Sequence, residues 1–177
     1  SDERFRLLFQ ATPSKQMVSA DLSGIELRML AHYLSRYDNG RYQRILTEGD
    51  IHQTNAERIG ITRRQVKTVT YAFLYGAGDA KLGYSFDKQL SEAAARRKGN
   101  EIRKAYVAAI PGLKELLDAT QKCAAKGFAK GIDGRKIKVD KAHKFLNYLL
   151  QGSAATIAKR WMVIVNDCLP PDAHQLS

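Results

Sequence analysis

The chain has 177 residues and a formal net charge of +11, from 29 lysines and arginines against 18 aspartates and glutamates. This length is enough for one domain with a hydrophobic core. No apolar run is long enough to cross a membrane, and Cys123 and Cys168 lack metal-site spacing, so we expect no membrane partner and two free thiols.

The first predicted element is a short strand over 16–21 that ends at the acidic side chain of Asp21. A helix is predicted over 24–38. Folds often present functional side chains at strand ends, so Asp21 is a candidate metal ligand, but an acidic residue before a helix is also a typical N-cap. These residues alone leave both interpretations open.

A helix predicted over 62–75 carries the most informative pattern. Two cationic side chains and then two aromatic ones follow at intervals of four residues, at Arg63, Lys67, Tyr71 and Tyr75. Residues four apart on a helix lie on one face, and this stripe spans about 18 Å at about 1.5 Å per residue. Arginine and lysine bind phosphate oxygens and an aromatic face stacks on a base, so the stripe fits a nucleoside triphosphate.

The alternative interpretation of this helix is structural. Its basic face would be solvated, and the apolar side chains within 71–75 would belong to the core. In either case Gly76 and Gly78 are expected to end the helix and to allow close backbone approach to a neighbour.

The remaining sequence is predicted to be mainly helical, with helices at 51–58, 91–108, 112–126 and 143–167. A hairpin is predicted over 129–139, because Asp133-Gly134 accepts the positive φ of a tight turn. Residues 1–15 and the tail after 168 are predicted as loop. The segment 63–145 holds 19 basic and 8 acidic residues, an excess equal to the whole net charge. A nucleic-acid backbone is therefore expected along this segment, with binding that weakens steeply as salt rises.

Taken together, these motifs resemble the family A DNA polymerases, the bacterial polymerase I class, and most closely the replicative polymerases of podovirus-like phages. Asp21–Arg28 resembles the family's motif A, and Arg63–Gly76 resembles its motif B. Gly49–His52 and Gly131–Lys136 match further segments, and Leu146–Ser153 resembles the helix that touches template and primer. The resemblance covers almost the whole chain.

The resemblance implies an α+β, mainly helical fragment of a right-hand polymerase. Residues 1–48 would form a palm portion with motif A, including the short strand, and 49–128 the helical fingers with motif B. Residues 129–177 would form the hairpin and a long helix that returns to the palm. No His-Asp pair occurs, so the family's motif C, which supplies a second metal-binding carboxylate, has no match. We therefore expect a piece of a larger or split enzyme, truncated before motif C and inactive by itself.

The resemblance also implies a metal site. Asp21 would hold two catalytic Mg²⁺ ions, and the Leu22 carbonyl would complete one coordination shell, since magnesium prefers oxygen ligands. The ions would activate the primer 3′-hydroxyl and stabilise charge on the transferred phosphoryl group.

Further roles are implied for the incoming nucleotide. Arg63, Lys67 and His52 would bind the triphosphate, with Lys67 also placed to assist the leaving group. Glu26 would fill the space that a ribose 2′-hydroxyl needs, although a first-turn acid is also favoured by the helix dipole. Tyr71 would pack against the sugar.

Contacts with DNA are implied for five residues. Tyr75 would stack at the templating position, or else be ordinary core, and Gly76 follows it at the same site. Arg135 would reach the minor groove of the primer-template duplex from the hairpin tip. Asn147 and Gln151, four apart on one helix face, would hydrogen-bond base edges or sugars.

The implied function is template-directed DNA synthesis, the transfer of deoxynucleotides to a primer 3′-hydroxyl in DNA replication. Its partners would be primer-template DNA, deoxynucleoside triphosphates, and a companion polymerase chain or processivity factor, in the cytoplasm of a bacterium or a phage-infected host. Two alternatives stay open. A single-subunit RNA polymerase shares related motifs, although Glu26 argues against it, and a noncatalytic basic module would bind DNA or RNA without chemistry.

Overall fold

The computed structural model describes residues 3–175, which form a mainly helical fold with one small antiparallel sheet. Two 3-10 helices cover Glu3–Leu8 and Ala142–Lys144. The regular elements are α1 (Ile25–Asp38), α2 (Arg41–Glu48), α3 (Ile51–Ile59), α4 (Arg63–Leu74), α5 (Asp79–Tyr84), α6 (Glu92–Ala109), α7 (Leu113–Ala124), β1 (Phe128–Lys130), β2 (Lys136–Lys138) and α8 (Phe145–Cys168).

The six predicted helices are confirmed to within two residues at each end. Side-chain caps mark the starts of three of them, α3, α4 and α6. Asp50 caps α3 by accepting hydrogen bonds from two backbone amides. Thr62 and Gln65 form a reciprocal capping box at the start of α4. Each of these contacts joins residues only two or three positions apart, so the caps can be predicted from the sequence alone.

Three elements were not predicted: α2, α5 and the 3-10 helix Glu3–Leu8, which lies in the expected N-terminal loop. Ser1 and Asp2 of that loop, and the last two residues of the predicted C-terminal tail, lie outside the described residues. The short helix α5 depends on tertiary packing against α6. A Cβ at Gly83 would overlap the backbone of Ala95, and one at Gly99 would overlap the backbone of Asp79, so glycines allow the two helices to touch.

The predicted hairpin is confirmed. Strands β1 and β2 pair with Ala129 opposite Ile137, and Gly134 has the positive φ of 83° that the Asp-Gly turn requires. Its inner face packs on α8 through a small cluster that contains Ala129, Val139, Phe145 and Leu149.

The predicted strand over 16–21 is wrong. This segment has no ladder partner, and Met17 and Val18 are 52% and 91% exposed. A strand needs a hydrogen-bonded neighbour, and the two strands found within residues 3–175 pair with each other.

The main core lies between α1, α4, α6, α7 and α8, and it positions the starts of α1 and α4 on one side of the protein. Within the described part of the chain, no helix combines the length and apolar character needed to cross a membrane. Fully buried members of the core include Leu30, Leu34, Leu74, Tyr106, Leu113 and Leu150.

Candidate functional site

The predicted stripe on α4 faces outward. Arg63 and Lys67 are exposed, Tyr71 is half-buried, and Tyr75, the C-cap residue, is 55% exposed. The rings of Tyr71 and Tyr75 are stacked, with centroids 6.4 Å apart and planes at 17°. The opposite side of α4 enters the core through Val66, Val69, Thr70, Phe73 and Leu74.

This arrangement decides between the two interpretations of 71–75. Phe73 and Leu74 are core, as the structural interpretation expected, but Tyr75 is not. The stripe thus combines exposed side chains with Tyr71, which packs partly against the core, while neighbouring positions anchor the helix.

Three members of the stripe, Arg63, Lys67 and Tyr71, form one wall of a cleft of about 350 Å³. The other walls come from the start of α1, including Arg28, and from the start of α3, including Asp50. The folding thus brings together three segments that are separate in sequence and that all belong to the matched motifs. The predicted site residues in its lining are His52, Arg63, Lys67 and Tyr71.

A larger concavity of about 520 Å³ lies beside the α3–α4 connection. It shares Arg63 with the cleft, but its other lining residues include no lysine, arginine or aromatic ring. The cleft, rather than this concavity, has the chemistry of an anion and base site.

The sequence analysis missed Asp50 as a member of the site. Its Oδ1 accepts hydrogen bonds from the backbone amides of His52 and Gln53, both at 3.0 Å, and its Oδ2 accepts one from Arg63 Nε at 2.7 Å. The amide of Gln53, followed by Arg63, holds the pKa of the Asp50 carboxyl below its usual range. An aspartate before a helix predicts the cap, but its pairing with a residue 13 positions away is a tertiary contact.

His52 is nearly buried, with 8% of its surface exposed, and its ring centroid lies 6.3 Å from that of Tyr71. Burial lowers the pKa of its imidazole; Asp50 opposes this shift, while Arg63 and Lys67 add to it. Burial thus favours the neutral imidazole of His52, and its buried Nδ1 lacks a hydrogen-bond partner among the described residues.

Glu26, in the first turn of α1, accepts a hydrogen bond from Tyr75 Oη at 2.9 Å. This contact, with burial as a smaller cause, raises the pKa of the Tyr75 phenol. The side chain thus does more than favour the helix dipole, because it connects motif A to the end of α4.

Asp21 does not cap α1. The N-cap is Gly24, which makes no side-chain cap hydrogen bond, so the N-cap interpretation is wrong. The Asp21 side chain is exposed and is not part of the cleft lining.

A magnesium site is therefore incomplete in the described residues. The Asp21 carboxylate and the Leu22 carbonyl have the oxygen chemistry that magnesium prefers. However, no group of three or more acidic, histidine or cysteine side chains comes together within residues 3–175. Two ions require more donors than this part of the chain assembles.

Asn147 closes the C-terminal end of α4. Its Nδ2 donates to the carbonyls of Phe73, at 2.8 Å, and Leu74, at 2.6 Å. Gly76 has a φ of 67°, and a Cβ there would lie 2.8 Å from Asn147 Oδ1. The predicted close approach is confirmed for Gly76 and wrong for Gly78, which has open space around it.

The other predicted DNA contacts lie away from the cleft lining. The Arg135 guanidinium turns back to α8, where it donates to Thr156 Oγ1 at 2.8 Å, and its Nε lies 3.3 Å from Asp133 Oδ2. Gln151 is exposed on α8. DNA binding by these two residues stays a prediction.

Comparisons with known proteins agree with the motifs. The model of DNA polymerase family A matches residues 1–176. The DNA-directed DNA polymerases of Enterobacteria phage T3 and Escherichia phage T7 are both 35% identical to the chain over 165 residues, covering 84% of it and 23% of each relative. That of Escherichia phage Phieco32 is 36% identical over 185 residues, covering 86% and 29%. The chain thus spans 23% to 29% of the length of these relatives.

A solved structure shows the same fold. It is the POL domain of Pol1 from M. smegmatis in complex with DNA primer-template and dNTP. The TM-score is 0.62 and the sequence identity is 25%, and the match covers 82% of this chain and 28% of the POL-domain chain. The mainly helical fold with its two-stranded sheet therefore matches part of a polymerase domain. On the evidence of the family model and the phage relatives, the chain belongs to DNA polymerase family A.

Proposed function

We propose that this chain contributes to template-directed DNA synthesis, the transfer of deoxynucleotides to a primer 3′-hydroxyl, and that its cleft binds the incoming deoxynucleoside triphosphate. The observation that carries the proposal is the convergence of His52, Arg63, Lys67 and Tyr71 on one cleft of about 350 Å³. The two cations match the phosphates of one nucleotide, and the ring of Tyr71 in the same cleft matches its sugar.

Each side chain has a distinct task in this proposal. Arg63 gives a planar fork to phosphate oxygens, and Lys67 places a compact charge where it also assists the leaving pyrophosphate. Neutral His52 offers a hydrogen-bond donor without further positive charge. Tyr71 packs against the sugar, and Glu26 excludes a ribose 2′-hydroxyl from the same space.

The DNA side of the site lies at the end of α4. Tyr75 stacks at the templating position, and Gly76 lets Asn147 approach the backbone there. Arg135 and Gln151 contact the duplex further along. In domain terms, 1–48 and 129–177 belong to the palm and 49–128 to the fingers.

Asp21 and the Leu22 carbonyl would hold magnesium from this chain, and two such ions would supply a stronger nucleophile and charge stabilisation for phosphoryl transfer. In this proposal the chain acts within a larger or split polymerase, with a companion chain or processivity factor. Its phage and bacterial relatives support a location in the cytoplasm of a bacterium or infected host.

Nucleotide binding by the purified chain tests this proposal. With primer-template and Mg²⁺ present, the complementary deoxynucleotide is expected to bind at least tenfold more tightly than the other three. Arg63→Gln and Lys67→Gln are each expected to weaken that binding about tenfold or more, since a hydrogen bond to a charged group contributes about 1.5–3 kcal/mol. Arg64→Gln is the matched control, because Arg64 is exposed on the same helix and is absent from the cleft lining.

Three results would count against parts of the proposal. Equal binding of all four deoxynucleotides would favour a noncatalytic nucleic-acid-binding module. Preference for ribonucleotides would favour an RNA polymerase. Primer extension by the isolated chain that is lost on Asp21→Ala would show that the chain completes its own metal site.

A further inference from the structure

We propose that the outer face of the β1–β2 hairpin is a second DNA contact, which binds the phosphate backbone without regard to base sequence. This face, here called the lysine face, consists of Phe128, Lys130, Lys136 and Lys138. The inference rests on the proposed function in taking DNA as the partner. It goes beyond that function in adding a contact by the body of the hairpin to the proposed contact by Arg135 at its tip.

The strand register defines the lysine face. Phe128 pairs with Lys138, and Lys130 pairs with Lys136. Side chains two apart in a strand, and side chains directly opposite in an antiparallel pair, point to the same side of the sheet. The three lysines are exposed, whereas Ala129 on the other side is fully buried.

The hairpin holds this face in a fixed position. Ile137, on the inner side, packs so closely on α8 that a Cβ at Gly152 would overlap its side chain. Arg135 ties the turn to α8 through Thr156. The predicted tip contact is therefore already engaged within the protein, while the lysines are not.

In the part of the chain that the structure describes, no carboxylate neutralises the positive charge of the lysine face. Among the described residues, none of the three lysines forms an ion pair, and the two nearby carboxylates in sequence are otherwise engaged. Asp133 bonds to Arg135, and Asp140 accepts a 2.5 Å hydrogen bond from Tyr148. Lys136 Nζ lies 4.9 Å from the centroid of the Phe128 ring, a cation–π contact that keeps its charge on the face.

Like charges directly opposite one another destabilise a sheet, so the Lys130–Lys136 pair has a cost that a bound anion would remove. A polyanion fits better than one small anion, because three lysines along two strands offer several separate charges. DNA phosphates meet this requirement, and their neutralisation releases counterions, which makes binding depend on salt.

The test uses the full chain and the triple variant Lys130→Gln/Lys136→Gln/Lys138→Gln. The matched control is Arg36→Gln/Arg41→Gln/Arg44→Gln, which removes the same charge from exposed positions on α1 and α2, outside the basic segment 63–145. Fluorescence anisotropy measures binding of duplex DNA, single-stranded DNA and polyglutamate between 50 and 300 mM salt. For duplex DNA, we expect the magnitude of the slope of log affinity against log salt to fall by about 2–3 in the lysine-face variant, because each lost phosphate contact removes about 0.9 from it. The control variant should keep the slope of the parent chain.

Each outcome has a defined meaning. A smaller slope with single-stranded DNA but not with duplex DNA would support the proposal and assign the lysine face to the unpaired template. Equal changes in both triple variants, or competition by polyglutamate as effective as by DNA, would overturn it. If the parent chain binds DNA and the slope does not respond, this inference fails alone, whereas a parent chain that binds no DNA contradicts the proposed function.

Discussion

Tyr75 donates a hydrogen bond of 2.9 Å from Oη to Oε1 of Glu26, across 49 residues of sequence. The contact joins the first turn of α1 to the residue that ends α4, and it holds an exposed ring beside Tyr71. In the proposed function these two side chains face the nucleotide sugar and the template. Movement of either therefore changes the surroundings of the other.

The effect of Glu26 on Tyr75 is measurable by titration. A neutral phenol donates to the carboxylate, whereas a phenolate cannot, so the contact favours the protonated ring and raises the pKa of Tyr75. Glu26→Gln is expected to return that pKa toward its ordinary value, as followed by NMR of ring-labelled tyrosine. Glu48→Gln, at an exposed position on α2, is the control and should leave the Tyr75 titration unchanged.

Asp50 competes with an anionic ligand for Arg63. Asp50→Asn keeps a good N-cap for α3 but removes the negative charge beside the guanidinium. We expect tripolyphosphate to bind about two- to fivefold more tightly, as measured by calorimetry, because an exposed ion pair contributes about 0.2–1 kcal/mol. The gain should disappear when Arg63→Gln is added, and a gain that persists would show that Asp50 acts through another group.

His52 makes stability depend on pH in a predictable direction. Its pKa is lowered in the folded protein, mainly by burial, so the unfolded chain takes up a proton first as pH falls below about 6.5. The free energy of unfolding therefore decreases from pH 6.5 down to the folded pKa. Urea unfolding at pH 7.5 and pH 5.0 should show a larger loss for the parent chain than for His52→Gln.

Carboxylates contribute little to that comparison. Asp50 has a lowered pKa, so its stabilisation is present above the unfolded value of 3.8 and is lost as pH falls through the folded one. Measurements kept at pH 5 or above thus isolate the histidine. An identical pH response in both proteins would mean that His52 titrates normally in the folded state.

Asn147 is expected to be a stability determinant. Asn147→Ala leaves two carbonyls at the end of α4 without their donor and should lower the free energy of unfolding by about 1–3 kcal/mol in urea. Gln151→Ala, one turn later at an exposed position, should change it by less than about 0.5 kcal/mol. Equal effects would contradict the capping role.

A double variant separates strain from collision at Gly76. Gly76→Ala should cost about 1–2 kcal/mol for the positive φ, and more because its Cβ meets Asn147 Oδ1. Adding Asn147→Ala removes the collision but not the strain of the positive φ. The free energies of unfolding lost in the two single variants should therefore sum to more than the loss in the double variant. Strict additivity would show that the two residues do not touch.

Much of the fold was predictable because its signals are local. Apolar periodicity, Asp50 and Thr62 as caps, and the Asp-Gly turn define helices and a hairpin through residues only a few positions apart. The spacing of Arg63, Lys67, Tyr71 and Tyr75 likewise places them on one face of the helix, whatever packs behind it. These features follow from backbone geometry alone.

Tertiary packing decided the remainder. The strand over 16–21 failed because a ladder needs a second strand, which residues 3–175 do not provide beside it. Arg63 pairs with Asp50, Arg135 turns to Thr156, and Asn147 caps a helix more than 70 residues away. Side-chain hydrogen bonds depend on which groups the folded chain brings within about 3 Å, and no periodicity in the sequence encodes that distance.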